Sequence, residues 1–289
     1  MKDLTAIFVA GGSRGSVSSL GSLPSVSERM EEIARRLEGK RVAVFLDYDG
    51  TLTPIVKRPE SAVLSGEMRG TVERLAVWCP VAVISGRDLA DVRDRVGIDT
   101  VFYAGSHGFD IAGPRDMPVE NQVGIDFLPL LDRAEQALRE RLSGIAGARI
   151  ERKRLSVAVH YREVADEAVG SVKAVVDAVW RNNEKLKKSQ GKKVYELQPR
   201  IDWHKGKALL WLLRELHLDT PDTVPLYIGD DITDEDAFRA LGDQGIGIVV
   251  VEGSESTRTT RARYALRDPD DVQDFLKTLT RMLSRKTRT

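Results

Sequence analysis

Residues Val42 to Leu46 form an unbroken apolar run that stops at Asp47-Tyr48-Asp49-Gly50-Thr51-Leu52. A short run with no polar position reads as a strand buried on both faces, which places it inside a parallel sheet. Two carboxylates therefore sit where the strand ends. Residues two apart on extended backbone point to one side, so Asp47 and Asp49 are expected to face one small volume beyond the sheet edge, where open α/β sheets take ligands. Carboxylates this close repel. They suit a divalent cation, which neutralises them and receives an oxygen-rich anion such as phosphate. Gly50 lets backbone approach that anion closely. Asp-x-Asp-Gly is also ordinary turn chemistry, so the reading needs support from elsewhere in the chain.

The support comes from two further strand ends and one lysine. Val81 to Ile84 ends in Ser85-Gly86-Arg87, and Val224 to Ile228 ends in Gly229-Asp230-Asp231-Ile232-Thr233-Asp234-Glu235-Asp236. Between them Lys205-Gly206 opens an apolar helical segment, Lys207 to Leu218. This ordered set resembles the haloacid dehalogenase (HAD)-type phosphohydrolases, whose four motifs are a strand-end Asp-x-Asp, a Ser or Thr after a later strand, a Lys, and Gly-Asp-x-x-x-Asp. Together with Ala104-Gly105-Ser106-His107-Gly108 and Trp203-His204-Lys205-Gly206-Lys207-Ala208, it is similar more narrowly to the trehalose-6-phosphate phosphatases, over roughly Arg41 to Leu279.

Lys plus Arg and Asp plus Glu each number 44 in the 289 residues, so no global field recruits nucleic acid or an anionic membrane. The six basic residues of Arg181 to Lys193 read as a solvated face. No apolar run approaches the roughly 18 residues of a membrane span. Leu4 to Ala10 is short for an export signal and follows Asp3, so a cytoplasmic protein is expected. The single Cys79 forms no internal disulfide and reads as a small buried apolar residue. The four His residues show no zinc spacing.

Strand, loop and helix alternate from Arg41, with helices expected at about Ser65 to Trp78 and Leu89 to Val96 and a third strand at Val101 to Ala104. That alternation predicts an α/β fold: a HAD-like Rossmannoid core with a parallel sheet and helices on both faces. After Pro114 the pattern changes to a helix (Leu128 to Leu142), strands at Ala148 to Glu151 and Ser156 to Arg162, a helix (about Ala165 to Trp180) and a strand at Lys193 to Leu197. This is an insertion large enough for a smaller α/β cap domain. The expected organisation is therefore a lead-in with a helix over 1–39, the core over 40–118 and 200–289, and the cap over 119–199. Gly11 to Ser27 is rich in Gly and Ser and reads as flexible, with Ser27 capping a helix to Leu37 and Gly39 ending it.

The resemblance implies a Mg²⁺-dependent phosphatase acting on a phosphorylated disaccharide, trehalose 6-phosphate, through an aspartyl-phosphate. It implies Asp47 as nucleophile and Asp49 as general acid, with Mg²⁺ held by Asp47, the Asp49 carbonyl, Asp230 and Asp234. Asp231 stands as an alternative to Asp234 or as a helix cap. Ser85 and the amides of Gly50 and Gly86 would bind phosphoryl oxygens, beside Thr51, with Lys205 as a point charge. A Lys at a helix start sits poorly with the helix dipole, which favours a functional role for Lys205. Arg87 either pairs with the acidic loops or begins the next helix, and His107 either touches substrate or stabilises its turn. In the cap, Glu151, Lys153, Arg162, Lys192 and Glu196 match the family's sugar-gripping residues in type and order. Competing readings are a phosphatase of another sugar phosphate, a mutase sharing the aspartyl-phosphate, and a non-catalytic sugar-phosphate binding module; retention of Asp47, Asp49, Ser85, Lys205 and Asp230 weighs against the last. Oligomeric state leaves no trace in the sequence.

Overall fold

The computed structural model describes residues 17–286 except 57, 192 and 252–257. In chain order its elements are β1 (Ser18–Ser19), α1 (Met30–Leu37), β2 (Arg41–Leu46), α2 (Gly66–Ala76), β3 (Val81–Ile84), α3 (Leu89–Val96), β4 (Phe102–Gly105), β5 (Asp110–Ala112) and β6 (Glu120–Gln122), then α4 (Leu128–Leu142), β7 (Arg149–Lys153), β8 (Ser156–His160), α5 (Asp166–Arg181), β9 (Leu186–Gly191) and β10 (Val194–Pro199), and last α6 (Lys205–Glu215), β11 (Thr223–Gly229), α7 (Glu235–Leu241), β12 (Ile246–Val250), β13 (Thr259–Thr260), β14 (Tyr264–Leu266) and α8 (Pro269–Lys286). Two compact units result, one from residues up to 121 with those from 204 onward, the other from 122–203.

The first unit is built on an eight-stranded sheet of order β14-β12-β11-β2-β3-β4-β5-β6. Strands β14 to β4 are mutually parallel, and β5 runs antiparallel to β4. From β2 the chain moves outward through β3 and β4, then returns on the other side of β2 as β11 and moves out through β12 and β14. The crevice beyond the ends of β2 and β11 is thus the topological switch point, where α/β sheets bind ligands. Leu46 pairs with Ile228, so Asp47 and Asp230 leave the sheet side by side. Burial on both faces explains the apolar runs: on one face Val44 and Leu46 share a core with Met68, Val72 and Leu75 of α2 and Val272, Leu276 and Leu279 of α8, and on the other Ala43 and Phe45 are buried. Ser65 accepts the Met68 N–H and caps α2, and Gly97 in the left-handed region (φ +61) ends α3.

The amino-terminal segment departs from the expectation of a flexible lead-in. The part of that reading on residues 11–16 lies outside the described residues. Over 17–27, β1 pairs with β13, Ser25 bridges to Ala265, and Leu20 and Val26 are buried. Two apolar anchors hold this Gly/Ser-rich stretch, Val26 by joining the core that contains α1 and α8 and Leu20 by its own burial. The helix start also moves: Ser27 lies inside a short 3₁₀ turn, and Ser25 and Glu28 form the capping box, with Ser25 N–H donating to Glu28 Oε2 at 3.0 Å and Glu28 N–H donating to Ser25 Oγ at 3.3 Å. Gly39 adopts φ +70 beyond the helix end.

The second unit carries a four-stranded antiparallel sheet of order β7-β8-β10-β9. Period-2 alternation puts Val157, Val159, Tyr195 and Leu197 on one face, covered by Leu131 and Leu138 of α4 and Val172 and Val176 of α5. The other face carries Glu151, Lys153, Ser156, His160 and Glu196. Strand β9 falls in the basic stretch read as a solvated face. Its inward positions are the buried Leu186, then Lys188, opposite Leu197, and Gln190, opposite Tyr195. Lys188 sets its ammonium over the rings of Trp180 and Tyr195 and against Asp177, so an amphipathic side chain stands where the alternation would place an apolar residue.

The docking of residues 17–27 predicts that Val26→Ala, which removes buried methyl groups at a 3%-exposed site, lowers unfolding free energy by about 2 kcal/mol. Urea titration measures this, and a loss of less than about 0.5 kcal/mol would show that the segment does not dock.

Candidate active site

Asp47, the residue after β2, donates its N–H to the Ile228 carbonyl at 2.9 Å and is 5% exposed. Lys205, the first residue of α6, lies beside it. Its Nζ is 3.0 Å from Asp47 Oδ1 and 2.7 Å from Asp234 Oδ1. An ammonium at a helix start opposes the dipole, so these carboxylates, rather than the helix, hold its charge in the interior. They raise its pKa against the opposing effect of burial. The helix reaches this depth because residue 206 is glycine: a Cβ there would fall 2.2 Å from the Asp236 carbonyl oxygen.

Asp234 is fully buried and its oxygens are taken. Oδ1 accepts from Lys205 and, at 2.6 Å, from the Tyr227 hydroxyl, while Oδ2 accepts the Asp231 N–H at 2.9 Å. Asp231 is exposed and its Oδ1 accepts the Ile232 N–H, as a helix cap does. Asp236 pairs with Arg239 on the surface side of α7.

Asp230 differs from both neighbours. Its Oδ1 is buried and, among the described residues, has no hydrogen-bond partner; the same holds for Thr51 Oγ1. Gly50, at φ +79, makes room for Asp230, since a Cβ there would lie 2.2 Å from Asp230 Oδ2. The Gly50 N–H donates to the Thr53 carbonyl at 2.8 Å, so it is not a donor for phosphate, and its contribution is space. Asp47, Asp230 and Asp234 each present an oxygen within 4.8 Å of the others. Three carboxylates against one ammonium leave a surplus of two negative charges when all are ionised. Burial first, then the charge of Asp234, raises the Asp47 pKa well above its ordinary value, with Lys205 opposing, and pushes Asp230 up to about 7. Buried surplus charge, hard oxygen donors and an orphaned carboxylate oxygen together fit a divalent cation such as Mg²⁺.

On the other side of β2, Ser85 is 1% exposed and its Oγ accepts the Arg87 N–H at 3.1 Å. The His107 ring covers Gly86, where a Cβ would meet Cε1 at 2.8 Å. Ser106 and His107 both have positive φ, and the His107 N–H donates to the Ser85 carbonyl at 2.8 Å, which ties this turn to the serine loop. Arg87 pairs with the acidic loops: Nε and Nη2 grip Asp49 Oδ2 and Oδ1 at 2.7 and 2.6 Å, and Nη1 meets Asp91 Oδ2 at 2.9 Å. The Asp49 side chain is therefore in a bidentate pair rather than in the carboxylate cluster, because the chain has already turned, with Asp49 bridging to Thr53.

Within the inserted unit, Lys153 Nζ lies 3.2 Å from Glu196 Oε1, which also accepts from Ser156 Oγ at 2.6 Å. Glu151 pairs with His160 at 2.7 Å, a bond that holds its carboxyl below the ordinary value. Arg162 is exposed in the turn after β8. Lys192 lies outside the described residues. Sequence reasoning missed Tyr227 and Arg258. A buried strand tyrosine needs a partner for its hydroxyl, which signalled the first. Arg258, which donates to the Asp230 carbonyl at 2.8 Å, follows no motif and left no signal.

Residues 45–270 match the family model described as trehalose-phosphatase. The trehalose-phosphate phosphatase of Mycobacterium tuberculosis (strain ATCC 25618 / H37Rv) is 41% identical over 282 residues, covering 97% of this chain and 71% of that protein. A crystal structure of a trehalose-6-phosphate phosphatase related protein superposes with TM-score 0.72 at 25% identity, over 84% of this chain and 99% of its own. A haloacid dehalogenase-like hydrolase from Bacteroides thetaiotaomicron, 14% identical with TM-score 0.59 over 83% of this chain and 99% of its own, shares the fold.

The raised Asp230 pKa has a defined sign in stability. Between its unfolded value near 3.8 and about 7 the folded state holds the proton more tightly, so metal-free protein loses stability as pH rises through that window. Asp230→Asn is expected to flatten the decline and, at pH 8 in chelator, to stabilise by about 2 to 4 kcal/mol. Urea titrations at pH 5 to 8 check this; equal destabilisation by the variant at both ends would refute the buried-charge account.

Proposed function

The chain belongs to the trehalose-phosphatase family, and we propose that it is a Mg²⁺-dependent phosphatase that hydrolyses trehalose 6-phosphate to trehalose and phosphate. The observation that carries the reading is the Asp47, Lys205, Asp234 and Asp230 cluster at the switch point of the sheet. Asp47 and Asp230 would hold the cation together with the Asp49 carbonyl. Asp234, whose oxygens are already engaged, would contribute its charge, and it fixes Lys205. Bound Mg²⁺ supplies the charge neutralisation that lets a carboxylate approach a phosphate dianion.

An Asp47 oxygen attacks phosphorus in line, and the bond from phosphorus to the sugar oxygen breaks as Asp49 protonates that oxygen. Asp49 leaves its Arg87 pairing to do so. Water then attacks the aspartyl-phosphate, Asp49 takes the water proton, and phosphate departs with Asp47 restored. Ser85 and the Gly86 amide hold phosphoryl oxygens, with Thr51 Oγ beside them, and Lys205 adds a fixed positive charge that needs no reorganisation during reaction. His107 shapes the turn against Gly86. The inserted unit acts as the cap: its polar face, with Glu151, Lys153 and Glu196, and with Arg162 and Lys192 assigned from the family pattern, reads the hydroxyls of the neutral disaccharide. We place the reaction in the cytoplasm, in line with Cys79 being free and buried, its thiol pushed up to about 12 and inert at neutral pH.

Phosphate release tests both halves. Asp47→Asn is expected to lose at least about 10³-fold in turnover on every substrate while staying folded. Glu196→Ala and Lys153→Ala are expected to lose at least about 10-fold on trehalose 6-phosphate and to keep a small aryl phosphate nearly unchanged. Activity retained in Asp47→Asn would overturn the mechanism. Equal losses on both substrates in the cap variants would withdraw the sugar assignment alone, in favour of another sugar phosphate.

A further inference from the structure

Asp230 is held from behind by a residue distant from it in sequence. Arg258 Nη1 donates to the Asp230 carbonyl at 2.8 Å, and Nη2 lies 3.5 Å from Glu235 Oε1. The other Glu235 oxygen accepts the Arg261 N–H at 2.9 Å. Residues 258–261 are thus tied at three points to the turn and helix that carry Asp230 and Asp234. Arg258 is itself seated by the amino-terminal segment. Ser18 and Ser19 pair with Thr260 and Thr259, and the Leu20 N–H donates to the Arg258 carbonyl at 3.0 Å. The Leu20 side chain, 5% exposed, anchors that strand. None of this belongs to the eight-stranded sheet: β1 and β13 form a separate two-stranded pair.

We infer that Arg258 is a positioning residue for the cation site and that the amino-terminal strand is the brace that seats it. A two-stranded ribbon has little stability of its own and is held by the contacts around it. One of those contacts, through Arg258, reaches the Asp230 backbone. The guanidinium fixes the backbone of a cluster carboxylate whose buried Oδ1 has no hydrogen-bond partner among the described residues, so the direction of that carboxylate depends on Arg258. Tyr227 and Lys205 orient Asp234, and Lys205 orients Asp47. Arg258 does for Asp230, through the main chain, what those residues do through side chains. Groups that orient metal ligands typically carry 10- to 100-fold in metal affinity. The inference rests on Asp230 binding the cation, as proposed above.

The test is Mg²⁺ titrated calorimetrically into the metal-free protein, with the melting temperature in chelator as the measure of fold. Arg258→Ala is expected to raise the Mg²⁺ dissociation constant by about ten-fold, and Arg258→Lys, which keeps a donor and the charge, to recover part of it. Leu20 opens a 3₁₀ turn, a position that accepts proline, so Leu20→Pro removes the N–H donor and side chain while Leu20→Ala removes the side chain alone. Weaker Mg²⁺ binding in the proline variant than in the alanine variant supports the brace. Unchanged Mg²⁺ affinity in Arg258→Ala, or in Arg258→Lys if the alanine variant does not fold, overturns the positioning role, and equal affinities in the two Leu20 variants overturn the brace. Wild-type affinity in Asp230→Asn would instead strike the underlying assignment of Asp230.

Discussion

A buried ammonium held between two carboxylates is the constraint on which the rest of the site depends. Lys205 is 2% exposed, and Asp234 is completely so enclosed. Removing such charges from water costs several kcal/mol each unless every partner is in place. The neighbouring structure supplies those partners. The Tyr227 hydroxyl and the Asp231 N–H complete the shell of Asp234, and Gly206 admits the helix start to hydrogen-bonding distance. A cluster so fixed has no freedom to relax its excess negative charge by moving apart. It must take up protons or a cation.

Sheet topology turns that local charge problem into a site. Strands β2 and β11 are neighbours, yet the connections leaving them run to opposite sides, which opens a crevice at their carboxyl ends. Asp47 and Asp230 are the first residues past those ends, and Lys205 approaches them from the amino terminus of α6. The serine loop after β3 and the His107 turn after β4 close the row along the same edge. Each of these groups leaves the same sheet edge because the strands are parallel.

Much of this was legible in the residues. The runs Val42 to Leu46, Val81 to Ile84 and Val224 to Ile228 are buried on both faces, so their apolar pattern was unambiguous, and Leu89 to Val96 and Leu128 to Leu142 matched their helices in full. The alternation Val157, Val159 gave one strand of the inserted sheet, whereas β9 was hidden because Lys188, paired with Asp177 and set over Trp180 and Tyr195, occupies an inward position. The docking of residues 17–27 escaped notice because Leu20 and Val26 are only two apolar anchors in a stretch whose composition argues for disorder. At the site, the resemblance named Asp47, Ser85, Lys205, Asp230 and Asp234 as candidates, and the structure brings Asp47, Lys205, Asp230 and Asp234 together, but the direction of the side chains was not legible. Asp49 was expected to share the volume of Asp47 and instead grips Arg87; the Gly50 amide was expected to face phosphate and instead closes its own turn. Such choices are made by partners brought together in three dimensions, and a partner such as Arg258 has no local pattern.

The central claim is that excess negative charge among Asp47, Asp230 and Asp234 is balanced by protons until a divalent cation replaces them. Calorimetric titration of Mg²⁺ near pH 6, repeated in buffers of different ionisation enthalpy, counts the protons released on binding. With Asp230 at about 7 and Asp47 also above its ordinary value, the account predicts release of about one proton or more per Mg²⁺ bound, decreasing as pH rises through 7 and Asp230 loses its proton. Binding with no proton release at pH 6 would mean that the cluster already carries its full negative charge, and would contradict the account.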